Sequence, residues 1–171
     1  MTEARVTLVL GGARSGKSRH AQALAEASGG ALVFVATAQA LDAEMHSRVA
    51  QHRADRDLRW RTVEAPLGLA ETIVAEGRPG AVLLVDCLTL WATNLLLGER
   101  DGTAALEALD AALRDTAARV VLVANEVGLG IVPDNVLARR FRDLAGTINQ
   151  RVAARADRVV FVAAGLPLVL K

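Results

Sequence analysis

The sequence predicts a doubly wound α/β fold, in which a mostly parallel sheet is covered by helices on both faces. Five apolar, β-rich runs recur along the chain, and each is continuous rather than alternating. Continuous runs are typical of strands that are buried on both faces. Helical stretches separate them, which is the pattern of βα units. Ligands of such folds bind at the carboxyl ends of the strands, so polar residues there are the first candidates for a site.

The elements follow one another without any repeat or linker, so we expect residues 1–171 to form a single domain. The predicted strands are Val6–Leu10, Leu32–Ala36, Val82–Val85, Val120–Ala124 and Val159–Ala163. The predicted helices are Lys17–Ala27, Leu41–Arg56, Gly68–Glu76, Leu88–Leu97, Ala104–Ala117 and Val136–Ala156. The last apolar segment, Leu166–Leu170, follows Gly165 too closely for a crossover helix, which predicts an antiparallel strand at the sheet edge.

The composition excludes several classes of protein. A hydrophobic content of 52% with 23% charged residues is globular, and a net charge of +1 offers no basic surface for nucleic acid. No apolar run approaches the length of a membrane span, and the first residues lack the apolar centre of a signal peptide, so we expect a cytoplasmic protein. The single cysteine, Cys87, excludes an intramolecular disulfide, and we interpret it as a small buried residue.

Residues Gly11–Ser18 read GGARSGKS and fit the phosphate-loop pattern G-x-x-x-x-G-K-[S/T]. Small residues let successive backbone amides surround a phosphate, and the helix that follows directs its positive end at the same anion. Lys17 is expected to reach the β- and γ-phosphates, and the Ser18 hydroxyl to hold Mg²⁺. The alternative is a glycine-rich turn without a ligand, but the strand before it and the helix after it favour nucleotide binding. The predicted contacts are Gly11, Gly12, Ala13, Arg14, Ser15, Gly16, Lys17 and Ser18.

Other strand ends carry polar residues as well. Asp86 follows the run Val82–Val85, where the acid of a Walker-B strand holds Mg²⁺. Thr37 follows the second run, at the edge where a site would form. A turn or capping role is an equal alternative for it. The loop Asn125–Pro133 combines two polar residues with glycines, which indicates a shaped loop beside a ligand; glycines at unusual dihedral angles are the other interpretation. In the helix after it, Arg139, Arg140, Arg142 and Asp143 are interpreted as a solvated face.

The predicted helix Leu41–Arg56 carries two histidines on different faces. With 3.6 residues per turn, His52 falls on the stripe of Met45 and Val49, whereas His46 points to solvent or to a flank. Arg53 and Arg56 adjoin His52, and their forked donors match phosphate oxygens. A core histidine next to a solvated, arginine-rich helix end is the structural alternative.

Together these segments resemble the bifunctional adenosylcobinamide kinase / adenosylcobinamide-phosphate guanylyltransferase family of cobalamin biosynthesis. The resemblance covers nearly the whole chain and is most selective in the NEVGLGIVP loop and in the R-x-x-x-H-R segment around His52. Its segments are GGARSGKSRHA (Gly11–Ala21), VATAQALDAEM (Val35–Met45), RVAQHRADR (Arg48–Arg56), WRTVE (Trp60–Glu64), DCLTLWATNLL (Asp86–Leu96), NEVGLGIVPDN (Asn125–Asn135) and RRFRDLAGTINQRVA (Arg139–Ala153). It implies a RecA-like P-loop fold and a homo-oligomer.

The resemblance implies two reactions with ATP and GTP as substrates. Adenosylcobinamide first takes the γ-phosphoryl group of ATP or GTP on its terminal hydroxyl. The adenosylcobinamide phosphate then takes GMP from GTP through a guanylylated His52, which yields adenosylcobinamide-GDP and pyrophosphate. No residue of the sequence is identified as the base of the kinase step.

The resemblance also implies further nucleotide contacts, in addition to the Mg²⁺ ligands Ser18 and Asp86 that the phosphate-loop and Walker-B patterns predict. These contacts are Ala36, Thr37, Ala38, Arg53, Ala54, Asp55, Arg56, Glu64 and Asp86. Three alternatives stay open: a guanylyltransferase without kinase activity, another small-molecule P-loop kinase in which His52 is structural, and a nucleotide-dependent regulator without turnover.

Overall fold

A computed structural model of the protein describes residues 4–39 and 58–171, in which seven strands form one sheet. The predicted helix Leu41–Arg56 lies outside the described residues. The strands are β1 Val6–Gly11, β2 Ala31–Ala36, β3 Trp60–Glu64, β4 Ala81–Asp86, β5 Arg119–Asn125, β6 Arg158–Ala163 and β7 Leu166–Val169. The helices are α1 Lys17–Ala27, α2 Leu69–Glu76, α3 Leu88–Leu97, α4 Gly102–Asp115 and α5 Val136–Arg155.

The strands lie in the order β3-β2-β4-β5-β1-β6-β7, and the α/β prediction is confirmed. Neighbouring strands pair in parallel up to β6, and β7 pairs with β6 in the antiparallel direction expected for the last segment. The central strands β1, β4 and β5 are buried along almost their whole length, which explains their continuous apolar sequences. Polar residues at their carboxyl ends are therefore brought to one edge of the sheet.

Helices cover both faces of the sheet. On one face, Ala21 and Ala25 of α1 pack against Val9, Val123 and other apolar residues of the central strands. On the other face, α2 to α5 contribute to a larger apolar cluster, which includes Trp91 of α3. Small residues on α1 let this helix lie close to the sheet directly after the phosphate loop, so the loop is anchored on a buried strand and on a packed helix.

The strand β3 was not among the predicted strands. Trp60–Glu64 is an edge strand, half-buried to exposed, and its apolar residues do not form a continuous run. Trp60 packs edge-to-face against Phe34 of β2, with ring centroids 6.5 Å apart. Its indole also donates a hydrogen bond to Glu26 at 3.1 Å. Tertiary contacts with β2 and α1 thus accompany the formation of a strand whose sequence pattern is weak.

The helix α4 begins two residues earlier than predicted. The Asp101 carboxylate accepts hydrogen bonds from the amides of Thr103 at 2.9 Å and Ala104 at 3.1 Å, so Asp101 is the N-cap. At the far side of the helix, Asp110 accepts two hydrogen bonds from the Arg155 guanidinium, at 2.7 and 2.9 Å. This bidentate pair joins α4 to the last turn of α5.

Candidate nucleotide-binding site

The predicted phosphate loop connects the last residue of β1 to the first residue of α1. Gly16 caps the helix with a φ of 93°, a left-handed conformation that glycine adopts without strain. Arg14 also has a positive φ, of 55°. Successive turns of opposite hand make a chain curl so that its amides point inward, which is the geometry of an anion-binding nest.

Two contacts explain why the loop needs glycine at Gly11 and Gly16. A Cβ atom on Gly11 would collide with the Ser15 hydroxyl and the Val162 carbonyl. A Cβ atom on Gly16 would lie 3.2 Å from the Cα of Gly165, in the turn between β6 and β7. The Gly165 amide donates a hydrogen bond to the Ser15 carbonyl at 2.8 Å. The C-terminal hairpin therefore packs directly against the phosphate loop.

The Lys17 ammonium donates a hydrogen bond to the Gly12 carbonyl across the loop, at 3.2 Å. This contact holds the ammonium over the loop rather than out in solvent. Ser18 follows Lys17 in the first turn of α1. The two side chains that the sequence selects for phosphate and Mg²⁺ contact therefore begin the same helix.

Three further predicted residues lie in one row across the sheet. Glu64 of β3 is in register with Ala36 of β2, and Ala36 is in register with Asp86 of β4. The strand β5 lies between β4 and β1, so Asp86 ends the strand next but one to the phosphate loop. Asp86 is partly buried, whereas Glu64 is exposed. The sheet thus brings the two carboxylates to the edge at which the loop opens.

Thr37 is fully buried directly after β2, and its hydroxyl bonds to the backbone of Cys87. It donates to the Cys87 carbonyl at 2.7 Å and accepts from the Cys87 amide at 2.8 Å. The Thr37 carbonyl accepts from the Asn94 side chain at 2.8 Å, and Asn94 also donates to the Pro66 carbonyl at 2.8 Å. These bonds connect the ends of β2 and β4, and the residues after β3, to the helix α3.

A second set of polar contacts holds the end of β5. The Asn125 amide donates to the Thr89 hydroxyl of α3 at 2.7 Å, and the Asn125 carbonyl accepts from the Asn149 side chain of α5 at 3.1 Å. Thr89 and Asn149 are themselves buried. Sequence reasoning missed Thr89, Asn94 and Asn149. A polar residue inside an otherwise apolar helical stretch is the signal that could have identified them.

The interpretation of the α5 arginines as a solvated face is corrected at two positions. Arg142 donates to the Gly128 carbonyl at 2.9 Å, and Arg139 donates to the carbonyls of Pro133 and Asp134 at 2.8 and 2.7 Å. Both guanidiniums therefore hold the loop after β5 to the helix α5 through hydrogen bonds to its carbonyls. The glycines of this loop, Gly128 among them, have no positive φ, so unusual dihedral angles do not explain them.

Cys87 is buried, as predicted. Burial and the neighbouring Asp86 raise the pKa of its thiol to about 11. A thiol with such a pKa carries almost no thiolate at neutral pH, and it is therefore a packing residue rather than a nucleophile.

The remaining predicted residues lie in the part of the chain that the structure does not describe. They are His52, Arg53, Ala54, Asp55 and Arg56. Ala38, in contrast, is described and lies directly after Thr37 at the same edge of the sheet. The described part therefore brings the phosphate loop together with the ends of β2, β3, β4 and β5.

A phosphate loop follows β1, and Asp86 ends β4, which β5 separates from β1 in the sheet. These two features define the class of the protein, a P-loop nucleotide-binding protein. Solved structures support this fold at low identity. A prototypical ATPase from the type III secretion system of pathogenic bacteria aligns with a TM-score of 0.55 and 12% identity, over 96% of this chain and 56% of that chain. The flagellar accessory protein FlaH from Methanocaldococcus jannaschii aligns with a TM-score of 0.53 and 11% identity, over 98% and 78%.

The chain belongs to the cobinamide kinase / cobinamide phosphate guanyltransferase family, whose model matches residues 7–170. The bifunctional adenosylcobalamin biosynthesis protein CobP of Pseudomonas aeruginosa is 53% identical over 96% of both chains. The bifunctional adenosylcobalamin biosynthesis protein CobU of Escherichia coli is 46% identical over 96% of this chain and 98% of that protein. The resemblance noted from the sequence motifs is confirmed.

Proposed function

We propose that this protein phosphorylates adenosylcobinamide with ATP or GTP and then transfers GMP from GTP to the product. The observation that carries the proposal is the phosphate loop at Gly11–Ser18, with Asp86 at the same sheet edge, in a chain of this family. Both reactions need a bound nucleoside triphosphate. In the kinase reaction the nucleophile attacks the γ-phosphorus of the triphosphate. In the guanylyltransferase reaction it attacks the α-phosphorus.

In both halves the loop's role is to bind and neutralise the triphosphate. Backbone amides of the loop and the Lys17 ammonium surround the phosphate oxygens. One carboxylate, Asp86, and one hydroxyl, Ser18, fit Mg²⁺, because this ion takes few protein ligands and completes its shell with water and phosphate oxygens. When bound, Mg²⁺ stabilises the negative charge that develops on the transferred group. Glu64 is assigned to a nucleotide contact at the same edge.

For the guanylyltransferase half, His52 is the proposed nucleophile. A neutral imidazole nitrogen attacks the α-phosphorus of GTP, pyrophosphate leaves, and the phosphate of the acceptor then displaces histidine from GMP. A neutral imidazole nitrogen is a competent nucleophile toward phosphorus. Arg53 and Arg56 would balance the phosphate charge beside it, together with contacts from Ala54 and Asp55.

A covalent label tests this half. The protein is incubated with Mg²⁺ and GTP labelled at the α-phosphorus, then denatured and separated by electrophoresis. We expect an acid-labile, base-stable label that is lost in His52→Ala and kept in the matched control His46→Ala. An unlabelled wild-type protein that still binds GTP would overturn the histidine intermediate. Such a result would favour a small-molecule kinase in which His52 is structural.

The kinase half has a separate test. ATP labelled at the γ-phosphorus and adenosylcobinamide should yield labelled adenosylcobinamide phosphate. Lys17→Ala should remove this product, because the phosphate loop loses its only ammonium. A wild-type protein that transfers GMP to adenosylcobinamide phosphate and makes no labelled product would instead be a guanylyltransferase alone. Turnover in either assay contradicts a regulator without catalysis.

We also propose a cytoplasmic homo-oligomer. Within the described residues, no helix is both long enough and apolar enough to cross a bilayer. Apolar side chains of the loop after β5 are exposed, including Leu129, Ile131 and Val132, and such a surface suits contact with a second copy or with substrate. Sedimentation velocity of the purified protein measures its assembly, and a monomer at micromolar concentration would contradict it.

A further inference from the structure

Glu126 directly follows β5, and its backbone lies beside the first residue of the phosphate loop. The strand β5 is the neighbour of β1 and ends at Asn125, which is in register with Gly11. The Glu126 amide donates a hydrogen bond to the Gly11 carbonyl at 3.1 Å. Since β4 flanks β5 on its other side, Glu126 lies between the phosphate loop and the strand that ends in Asp86.

The structure holds this carboxylate in a defined position. Its Oε1 atom accepts a hydrogen bond from the Gly128 amide at 2.5 Å. A Cβ atom on Gly128 would lie 2.8 Å from that same oxygen, so glycine leaves the space that the carboxylate occupies. Arg142 holds the Gly128 carbonyl in turn, at 2.9 Å. The loop, its glycine and an α5 arginine thus position one acidic group.

Glu126 lines a cleft of about 630 Å³ between the loop after β5 and the helix α5. The cleft reaches Leu10, the residue before the phosphate loop, and its walls combine apolar side chains with hydrogen-bonding groups. Leu129 and Ala153 provide apolar surface, whereas Thr147 and Gln150 can bond to amides. Such a lining suits a large ligand that carries both apolar surface and amide groups.

We propose that Glu126 is the general base of the kinase step and that this cleft takes the acceptor alcohol. The inference rests on the proposed function. The acceptor oxygen bonds to the γ-phosphorus, and the bond from that phosphorus to the β,γ-bridging oxygen breaks. The nucleoside diphosphate leaves with the bonding electrons. The hydroxyl proton passes to the Glu126 carboxylate and then to water.

The second reaction distinguishes a base from a residue that merely shapes the site. Its acceptor is a phosphate monoester, which has a second pKa of about 6 and is already ionised near pH 8. That oxygen carries no proton to remove. Glu126 is therefore required for phosphorylation of the alcohol and dispensable for transfer of GMP to the phosphate.

Glu126→Gln is the decisive variant, because an amide oxygen can still accept from Gly128 while it cannot take a proton. We expect the kinase kcat to fall by about 10²- to 10⁴-fold, the contribution typical of a general base, with little change in the KM for ATP. The guanylyltransferase rate, measured with adenosylcobinamide phosphate and GTP, should stay within about twofold of wild type. Gly128→Ala should lower the kinase rate as well, since it displaces the carboxylate.

Two outcomes overturn the inference alone: a Glu126→Gln kinase kcat within about threefold of wild type, or an equal loss of both activities. A wild-type protein without kinase activity would overturn the proposed function and the inference together. Gly146 of α5 also lines the cleft, so Gly146→Leu should raise the KM for adenosylcobinamide and leave the KM for ATP unchanged. Gly146→Ala is the control for size, because its Cβ meets no atom of the described residues within 4 Å. An unchanged KM for adenosylcobinamide in Gly146→Leu would show that the alcohol does not bind in this cleft.

Discussion

The Thr37 hydroxyl makes two hydrogen bonds with the backbone of one residue, Cys87, donating to its carbonyl at 2.7 Å and accepting from its amide at 2.8 Å. Cys87 directly follows Asp86, the proposed Mg²⁺ ligand. A side chain at the end of β2 therefore determines where the backbone runs beyond the end of β4. The relationship assigns Thr37 a positioning role through its side chain, in addition to the nucleotide contact predicted for it.

Thr37→Val should impair catalysis and stability together. The isosteric methyl group leaves a buried amide and a buried carbonyl of Cys87 without these bonds, which costs about 1–3 kcal/mol of unfolding free energy. We expect kcat of both reactions to fall by roughly tenfold through misplacement of Asp86. Urea unfolding and steady-state kinetics measure the two effects. Thr37→Ser is the control and should restore both; a Thr37→Val protein with wild-type stability would contradict the role.

Asn94→Leu should destabilise the fold through two carbonyls at once. The Asn94 amide group donates to Thr37 and Pro66, and leucine removes both donors at similar volume. We expect a loss of about 1–3 kcal/mol in urea unfolding. Thr93→Ala on the same helix is the matched control, because the Thr93 hydroxyl donates to the Thr89 carbonyl of its own helix. Equal urea midpoints for Asn94→Leu and Thr93→Ala would contradict the prediction.

Gly11→Ala should destabilise the protein even without nucleotide. The added methyl group would meet the Ser15 hydroxyl and the Val162 carbonyl, and such overpacking typically costs about 1–3 kcal/mol. Gly12→Ala places its Cβ where no atom of residues 4–39 or 58–171 lies within 4 Å, so its stability should stay close to that of wild type. Thermal unfolding of both variants measures the difference. A more stable Gly11→Ala than Gly12→Ala would show that the loop packs differently.

Cys87 should resist alkylation in the folded protein. Its thiol is buried and has a pKa of about 11, so at pH 8 it lacks both exposure and thiolate character. Mass spectrometry after treatment with iodoacetamide should find native protein unmodified and urea-unfolded protein carrying one adduct. Rapid modification of the native protein at pH 8 would contradict the burial of this residue.

Asp110→Asn should lower stability at neutral pH and lose its effect in acid. The hydrogen bonds from Arg155 lower the pKa of the Asp110 carboxyl below its ordinary 3.8. The stabilisation is therefore complete above pH 3.8 and is lost as the pH falls through the lower pKa of the folded state. Urea midpoints of wild type and variant should converge in that range. Asp115→Asn is the control, because the ion pair of Asp115 with Arg114 is exposed. A difference in urea midpoint between wild type and Asp110→Asn that does not change with pH would contradict the prediction.

The core of the fold could be predicted from the sequence because burial on both faces demands continuous apolar runs. The five predicted strands and the antiparallel last strand are all present, as are the phosphate loop and the burial of Cys87. The strand β3 escaped prediction because an edge strand needs no continuous apolar run. Its formation depends on pairing with β2, which is a long-range contact.

The strand, loop and helix around Gly11–Ser18, the position of Asp86 at the end of β4 and the family of the chain could therefore be predicted from the sequence alone. The chemical identity and the spacing of neighbouring residues are enough to specify them. Only the tertiary structure decided that Thr37 and Asn94 hold the ends of the strands together, and that Glu126 lies beside Gly11. The physical reason is strand order: β5 lies next to β1 in space and far from it along the chain, so no local pattern records the contact.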